Sequence, residues 1–225
     1  TKLVILTNPN NPTGSILRPA IRQQIIERVK EVGAWLIADE VYRGAEVNGE
    51  ETPSFYGQLE KAVIVGGLSK AYGLPGLRLG WLAGPEELVQ KIWTYHDYTT
   101  ISVSALTDHL ATSALEPDRR LQLLARTRNI IRTNLPILEK WLQSFDGLFN
   151  YQPPLAGAIL FTAYNAEVNS TRLVEKILKE KNVLLVPGDH FELDHHLRLG
   201  YGCPPGYLQA ALDRVTEFLK EFIKK

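Results

Sequence analysis

Leu3-Val4-Ile5-Leu6-Thr7-Asn8-Pro9-Asn10-Asn11-Pro12-Thr13-Gly14 joins a continuously apolar run to a tail of turn formers. Four apolar residues bounded in this way read as a buried parallel strand followed by a loop. In open parallel sheets, function sits on the loops that follow the strands, so the tail is a candidate site. Downstream, Pro19 opens a segment with Ile21, Ile25, Ile26, Val29 and Val32 at helical spacing, and Gly33 closes it. Proline first and glycine last is the punctuation expected of a helix. Trp35-Leu36-Ile37-Ala38 is the next strand-like run, and it ends at Asp39-Glu40. Strand, helix, strand is the parallel crossover unit.

The pattern continues outward from this unit. Ala62-Val63-Ile64-Val65 is a third apolar run and delivers Gly66-Gly67-Leu68-Ser69-Lys70 at its C-terminal end. Residues 86–98 and 104–115 read as helices, and residues 118–144 carry leucines and isoleucines at three and four spacing over about 40 Å of helix. A helix of that length can link two domains. Beyond it the strands shorten, at 158–164, 183–186 and 197–201, and helices at 171–181 and 207–224 alternate with them. A smaller α+β domain from about residue 148 is expected.

Composition narrows the partners. Lys plus Arg equals Asp plus Glu at 25 each, so charge gives no reason to expect nucleic acid or an anionic membrane surface. The single cysteine, Cys203, cannot close an internal disulfide or build a cysteine metal cluster, which fits a reducing compartment. No window approaches the roughly 20 apolar residues of a membrane-spanning helix, so the chain reads as cytoplasmic, with no membrane partner. His190, His195 and His196 lack the spacing of a zinc site, and no metal is expected. Thr1-Lys2 runs straight into the apolar strand without an initiator methionine, as a chain joined midway would.

Taken singly, the polar motifs are weak. A lysine after a strand is usually solvated, Asp39-Glu40 is an ordinary acid pair, and Asn11-Pro12-Thr13-Gly14 is ordinary turn chemistry. Their joint occurrence in order is what carries information. Asn10-Asn11-Pro12-Thr13-Gly14, Asp39-Glu40-Val41-Tyr42, the run from Ser69-Lys70 through Leu77-Arg78-Leu79-Gly80, and Leu197-Arg198-Leu199-Gly200-Tyr201 together resemble the class I/II, fold type I pyridoxal-phosphate-dependent aminotransferases. The resemblance covers essentially the whole chain.

It implies an α/β fold: a three-layer parallel-sheet cofactor domain, incomplete here, at residues 1–147 with its linking helix, then a small α+β domain at 148–225. It also implies pyridoxal 5'-phosphate as cofactor, amino acid and 2-oxo acid substrates, and a homodimer. Lys70 matches the lysine whose amine condenses with the cofactor aldehyde and later shuttles the α-proton. Asp39 matches the carboxylate that keeps the pyridine nitrogen protonated. Asn11 and Tyr42 match donors to the phenolic oxygen, and Arg78 and Ser69 match phosphate contacts. Arg198 matches the guanidinium that receives the substrate carboxylate. One departure is Gly67, where many members carry a second serine.

The family's glycine-rich phosphate loop and ring-stacking aromatic are not found here, so about 150 residues are expected upstream, a cofactor domain's ordinary remainder plus an arm. Rival readings are a lyase or cyclase of the same fold, since the pocket selects which bond breaks, and an aminotransferase-like ligand-sensing domain of a transcription regulator. Residues 92–118 contain no Arg or Lys, so no cation is supplied there for a second substrate carboxylate, and neutral side chains are the expected preference.

Overall fold

The computed structural model describes residues 1–223. In chain order the elements are β1 (Leu3–Thr7), α1 (Pro19–Glu31), β2 (Trp35–Asp39), β3 (Ala62–Gly67), β4 (Gly80–Ala83), α2 (Glu86–His96), α3 (Ala105–Leu115), α4 (Pro117–Gln143), β5 (Phe149–Tyr151), β6 (Ile159–Tyr164), α5 (Ser170–Lys181), β7 (Val186–Pro187), β8 (His196–Gly200) and α6 (Pro205–Ile223). They form two compact units, whose division falls inside α4 between Arg128 and Asn129. Asn11–Gly14 groups with the second unit, and Leu155–Gly157 with the first.

The first unit is mixed α/β around a sheet of order β1-β2-β3-β4. The expected crossover is present, with β1 parallel to β2 and β2 parallel to β3. Ile26 and Val29 of α1 pack with Leu36, Ala38, Ala62 and Ile64 of the strands, and Val4 and Leu6 join the edge of that cluster. Leu3 and Ile5 point the other way and are 46% and 68% exposed, so the opening run is two-faced here where a buried strand was expected. The alternation follows from the pleat, and only the α1 side of β1 is covered.

The sequence pattern passed over β4, which pairs antiparallel with β3. The return runs through residues 68–79, which hold only a turn of 3₁₀ helix, Pro75–Leu77, and the Leu68 N–H to Leu79 carbonyl bond extends the antiparallel pairing into it. Close packing at this return requires glycine: a Cβ on Gly66 would lie 2.5 Å from the Trp81 indole nitrogen, and one on Gly80 3.0 Å from the Gly66 carbonyl.

The second unit carries an antiparallel sheet of order β5-β6-β8-β7. Leu160, Leu197 and Leu199 are buried from the sheet, as are Leu173, Val174 and Ile177 from α5. Trp141 of α4 donates its indole N–H to Thr216 of α6 at 2.8 Å, joining two helices whose apolar faces hold Leu138, Leu142, Leu208 and Val215 in the core. One strand reading needs correction, and one short strand was not read. Residues 183–186 were expected to be a strand, but only Val186–Pro187 pairs: Asn182 ends α5 in a left-handed turn at φ 54°, and proline cannot extend a ladder. The three-residue β5 is too short for a periodicity to register.

Candidate active site

In the first unit, the C-terminal ends of the parallel strands fall on one edge, with Thr7 opposite Asp39 and Asp39 opposite Val65. Asp39 is the last residue of β2 and partly accessible, and its Oδ1 accepts the Val41 N–H at 3.1 Å. That local bond turns the chain and fixes the carboxylate at the strand end. Glu40 serves the fold instead. Its backbone N–H reaches the Val65 carbonyl, and its buried carboxylate accepts the Phe55 N–H at 2.8 Å.

Ser69 and Lys70 follow β3 in a loop tied on both sides. The Leu68 N–H donates to the Leu79 carbonyl at 3.1 Å, and the Ala71 N–H donates to the Val41 carbonyl at 3.3 Å. The lysine loop is thereby joined to the Asp39–Tyr42 turn and to the segment of Arg78. Lys70 is exposed, and its amine has no hydrogen bond or ion pair among the described residues. Tyr42 is partly buried. Arg78 is exposed in a left-handed conformation at φ 48°, with its guanidinium donating to the Pro75 carbonyl at 2.9 Å. A Cβ on Gly67 would lie 3.3 Å from the Leu79 carbonyl, a tight approach that gives a steric reason for glycine where the family often has serine.

In the second unit, Arg198 lies on β8 between Phe161 of β6 and Val186 of β7. Its Nη1 donates to Oδ1 of Asn11 at 3.1 Å, across 187 residues of sequence. The guanidinium also lies over the Phe191 ring at 5.6 Å, within cation–π range. Buried Asn134 of α4 donates to the Tyr201 and Cys203 carbonyls at 2.7 Å each and so pins the chain leaving β8. Two of the histidines noted in the sequence serve the fold locally, His195 against the Ala166 carbonyl and His196 stacked on Phe161.

Some supporting residues escaped the sequence reading. Glu46 is fully buried and accepts from the Gly44 N–H, the Thr52 N–H and the Thr52 hydroxyl at 2.8 to 2.9 Å, with Arg128 at 3.6 Å. Glu51 binds both Arg43 and Arg120. Both acids sit in a polar loop whose composition gives no sign that one is buried, so no local signal would have found them.

The donor set suits pyridoxal 5'-phosphate. A lysine amine without a hydrogen bond or ion pair among the described residues, a fixed strand-end carboxylate, a hydroxyl and a guanidinium occupy loops tied together at one sheet edge of the first unit. Comparison with known proteins agrees. Over 99% of its length the chain superposes on 58% of a PLP-dependent aminotransferase from Streptococcus suis, with TM-score 0.91 and 34% identity. It also superposes on the PLP-dependent cyclase OrfR, with TM-score 0.90 and 31% identity over 98% of this chain and 59% of that one. This is the fold of a pyridoxal-phosphate-dependent enzyme, with a parallel-sheet core.

The Aminotransferase class I and II family matches residues 1–215, and the chain belongs to that family. Pyridoxal 5'-phosphate is accordingly its cofactor. Capreomycidine synthase of Streptomyces vinaceus is 31% identical over 97% of this chain. The chain spans 56% of that protein's length.

Proposed function

We propose that the protein containing this chain transfers an amino group reversibly between an amino acid and a 2-oxo acid. The observation that best supports this reading is the Arg198 to Asn11 hydrogen bond. A guanidinium can only donate, so it meets the oxygen of the Asn11 amide and leaves the NH₂ side to donate to an anionic oxygen. One side chain then serves the cofactor while orienting the cation that receives the substrate carboxylate. The remaining edge of the Arg198 fork has the planar geometry that a carboxylate takes up bidentately.

When bound, pyridoxal phosphate supplies an electron sink for the bond broken at the substrate α-carbon. The chain's residues supply the rest. Lys70, exposed, takes and returns the α-proton at its Nζ. Asp39, fixed through Oδ1 by the Val41 N–H, offers its second oxygen to a protonated ring nitrogen. Tyr42 donates to the phenolic oxygen, while Ser69 and Arg78 take the phosphate once Arg78 releases the Pro75 carbonyl. In the same reading, residues 1–147 are the later part of a large cofactor domain, residues 148–225 a small domain, and the protein a cytoplasmic homodimer. Neither a membrane nor a nucleic acid is a proposed partner, and no helix among the described residues is long and apolar enough to cross a membrane.

A second reading, cyclisation or elimination, draws support from the similarity to OrfR and to capreomycidine synthase. The discriminating experiment gives the full-length protein aspartate, alanine, leucine or phenylalanine with and without a common 2-oxo acid. Transfer that requires the oxo acid, with a neutral donor ahead of aspartate in kcat/KM, is expected. Conversion of a single amino substrate without any acceptor would overturn the transfer reading in favour of the second, and a tenfold lead for aspartate would overturn the neutral preference.

A further inference from the structure

Glu51 lies well away in sequence from the residues assigned above, yet it connects two of their loops within the first unit. Arg120 of α4 places Nη2 at 2.7 Å from each Glu51 oxygen, and its Nε donates to the Tyr72 hydroxyl at 3.2 Å. Arg43, the residue after Tyr42, reaches Glu51 with Nη2 at 3.3 Å and donates Nε to the Thr52 carbonyl at 2.7 Å. Tyr72, two residues after Lys70, is 7% exposed and has its ring edge-on to Trp81 at 6.3 Å. Arg126, two turns along α4 from Arg120, caps the same segment by donating to the Tyr72 carbonyl at 2.9 Å.

A carboxylate between two guanidinium groups is worth little when solvated, but Glu51 and Arg120 have side chains only 22% and 27% exposed. Arg120 also spends its Nε on the lysine loop at Tyr72, while the Nε of Arg43 holds the Thr52 carbonyl beside Glu51. The arrangement therefore transmits position: a shift of the Tyr42 turn pulls on Arg43, Glu51 and Arg120, and so on Tyr72 behind the lysine. A direct backbone tie between the two loops, Ala71 N–H to Val41 carbonyl, is long at 3.3 Å.

We propose that Glu51 is a positioning residue that holds the Tyr42 turn and the Lys70 loop in one register through Arg43 and the Arg120–Tyr72 contact. The assignment rests on the proposed roles of Tyr42 and Lys70, but the coupling of the loops is measurable without them. Hydrogen exchange of the cofactor-free full-length protein reads it directly. In Glu51→Gln, peptides covering 41–52 and 69–74 should both exchange faster, with the strand β2 unchanged. Tyr72→Phe, which deletes one hydroxyl and no packing, should loosen the same two segments, and the double variant should add little to either single one.

In the cofactor-loaded protein, Glu51→Gln should lower kcat about tenfold or more at nearly constant KM, the signature of misplaced groups rather than lost binding. The midpoint of the cofactor absorbance change with pH should move, and Arg120→Lys should fall between wild type and Glu51→Gln. Uniform loss of protection across the chain, or unchanged exchange in both segments, would overturn the proposal. Should Glu51→Gln fail to fold, Tyr72→Phe decides alone, since unchanged exchange at 41–52 in that variant breaks the link. Failure of the amino-transfer reading would appear separately, as an inactive wild type with the loop coupling intact.

Discussion

Replacing Arg198 with lysine tests the centre of the functional argument at a position where the fold should tolerate the change. The β8 backbone bonds to β6 and β7 do not depend on the side chain, and the aliphatic stem of lysine can still cover Phe191. The charge also survives. What disappears is the planar fork that donates from one edge to Asn11 at 3.1 Å while presenting the other to a carboxylate. An ammonium can keep one of these partners but not both in plane. Losing one hydrogen bond to a charged group costs about 1.5 to 3 kcal/mol. At 1.4 kcal/mol per tenfold, kcat/KM for the amino donor should fall roughly 10- to 150-fold. The assay is the half-reaction with a saturating series of one amino acid, read by cofactor absorbance, beside a cofactor titration that should stay close to wild type. A variant within threefold of wild type would show that Arg198 does not receive the substrate carboxylate, and a variant that lost the cofactor would move its role to the Asn11 side.

Three further outcomes follow from the site and its supports. In Lys70→Ala, borohydride treatment of the cofactor-loaded protein should leave no covalent adduct, whereas wild type should carry one on the Lys70 peptide; turnover should fall by orders of magnitude, and an adduct retained in the variant would reassign the lysine. Glu46→Ala strips the partner from buried Gly44 and Thr52 donors and from Arg128, so urea unfolding should report a loss of about 3 to 5 kcal/mol, and a loss below about 1 would mean that water enters the site. Asp194 and Asp189 hold the start of α5: Asp194 accepts the Ser170 N–H, which with its other backbone and side-chain donors keeps its carboxyl far below the usual range, and Asp189 is lowered by Thr171 and Asn169. A depressed carboxyl stabilises the fold above its unfolded value near 3.8 and loses that contribution as pH falls through the folded value, so exchange at residues 169–173 should accelerate only below about pH 4. Acceleration beginning at pH 6 would contradict it.

Much of this molecule is legible locally. Apolar runs and helical spacing placed β1, α1, β2, β3 and the long α4 to within a few residues, because each pattern repeats over a distance that one element spans. The order of Asn11, Asp39, Lys70, Arg78 and Arg198 along the chain pointed to the family on its own, since such chemistry needs those groups whatever surrounds them. Tertiary structure decided the rest. That Asn11 meets Arg198 depends on how the second unit closes, and no spacing encodes a contact across 187 residues. The antiparallel direction of β4 is set by its pairing with β3, from Ile64 against Ala83 to Gly67 against Gly80, and no local pattern announces it. Which acids are buried was equally hidden: Glu40 and Glu46 look like their exposed neighbours Glu50 and Glu60 in sequence, and become internal only because Phe55, Gly44 and Thr52 bring donors to them. Burial of a charge is worthwhile only where those partners converge, and convergence is a property of the folded chain.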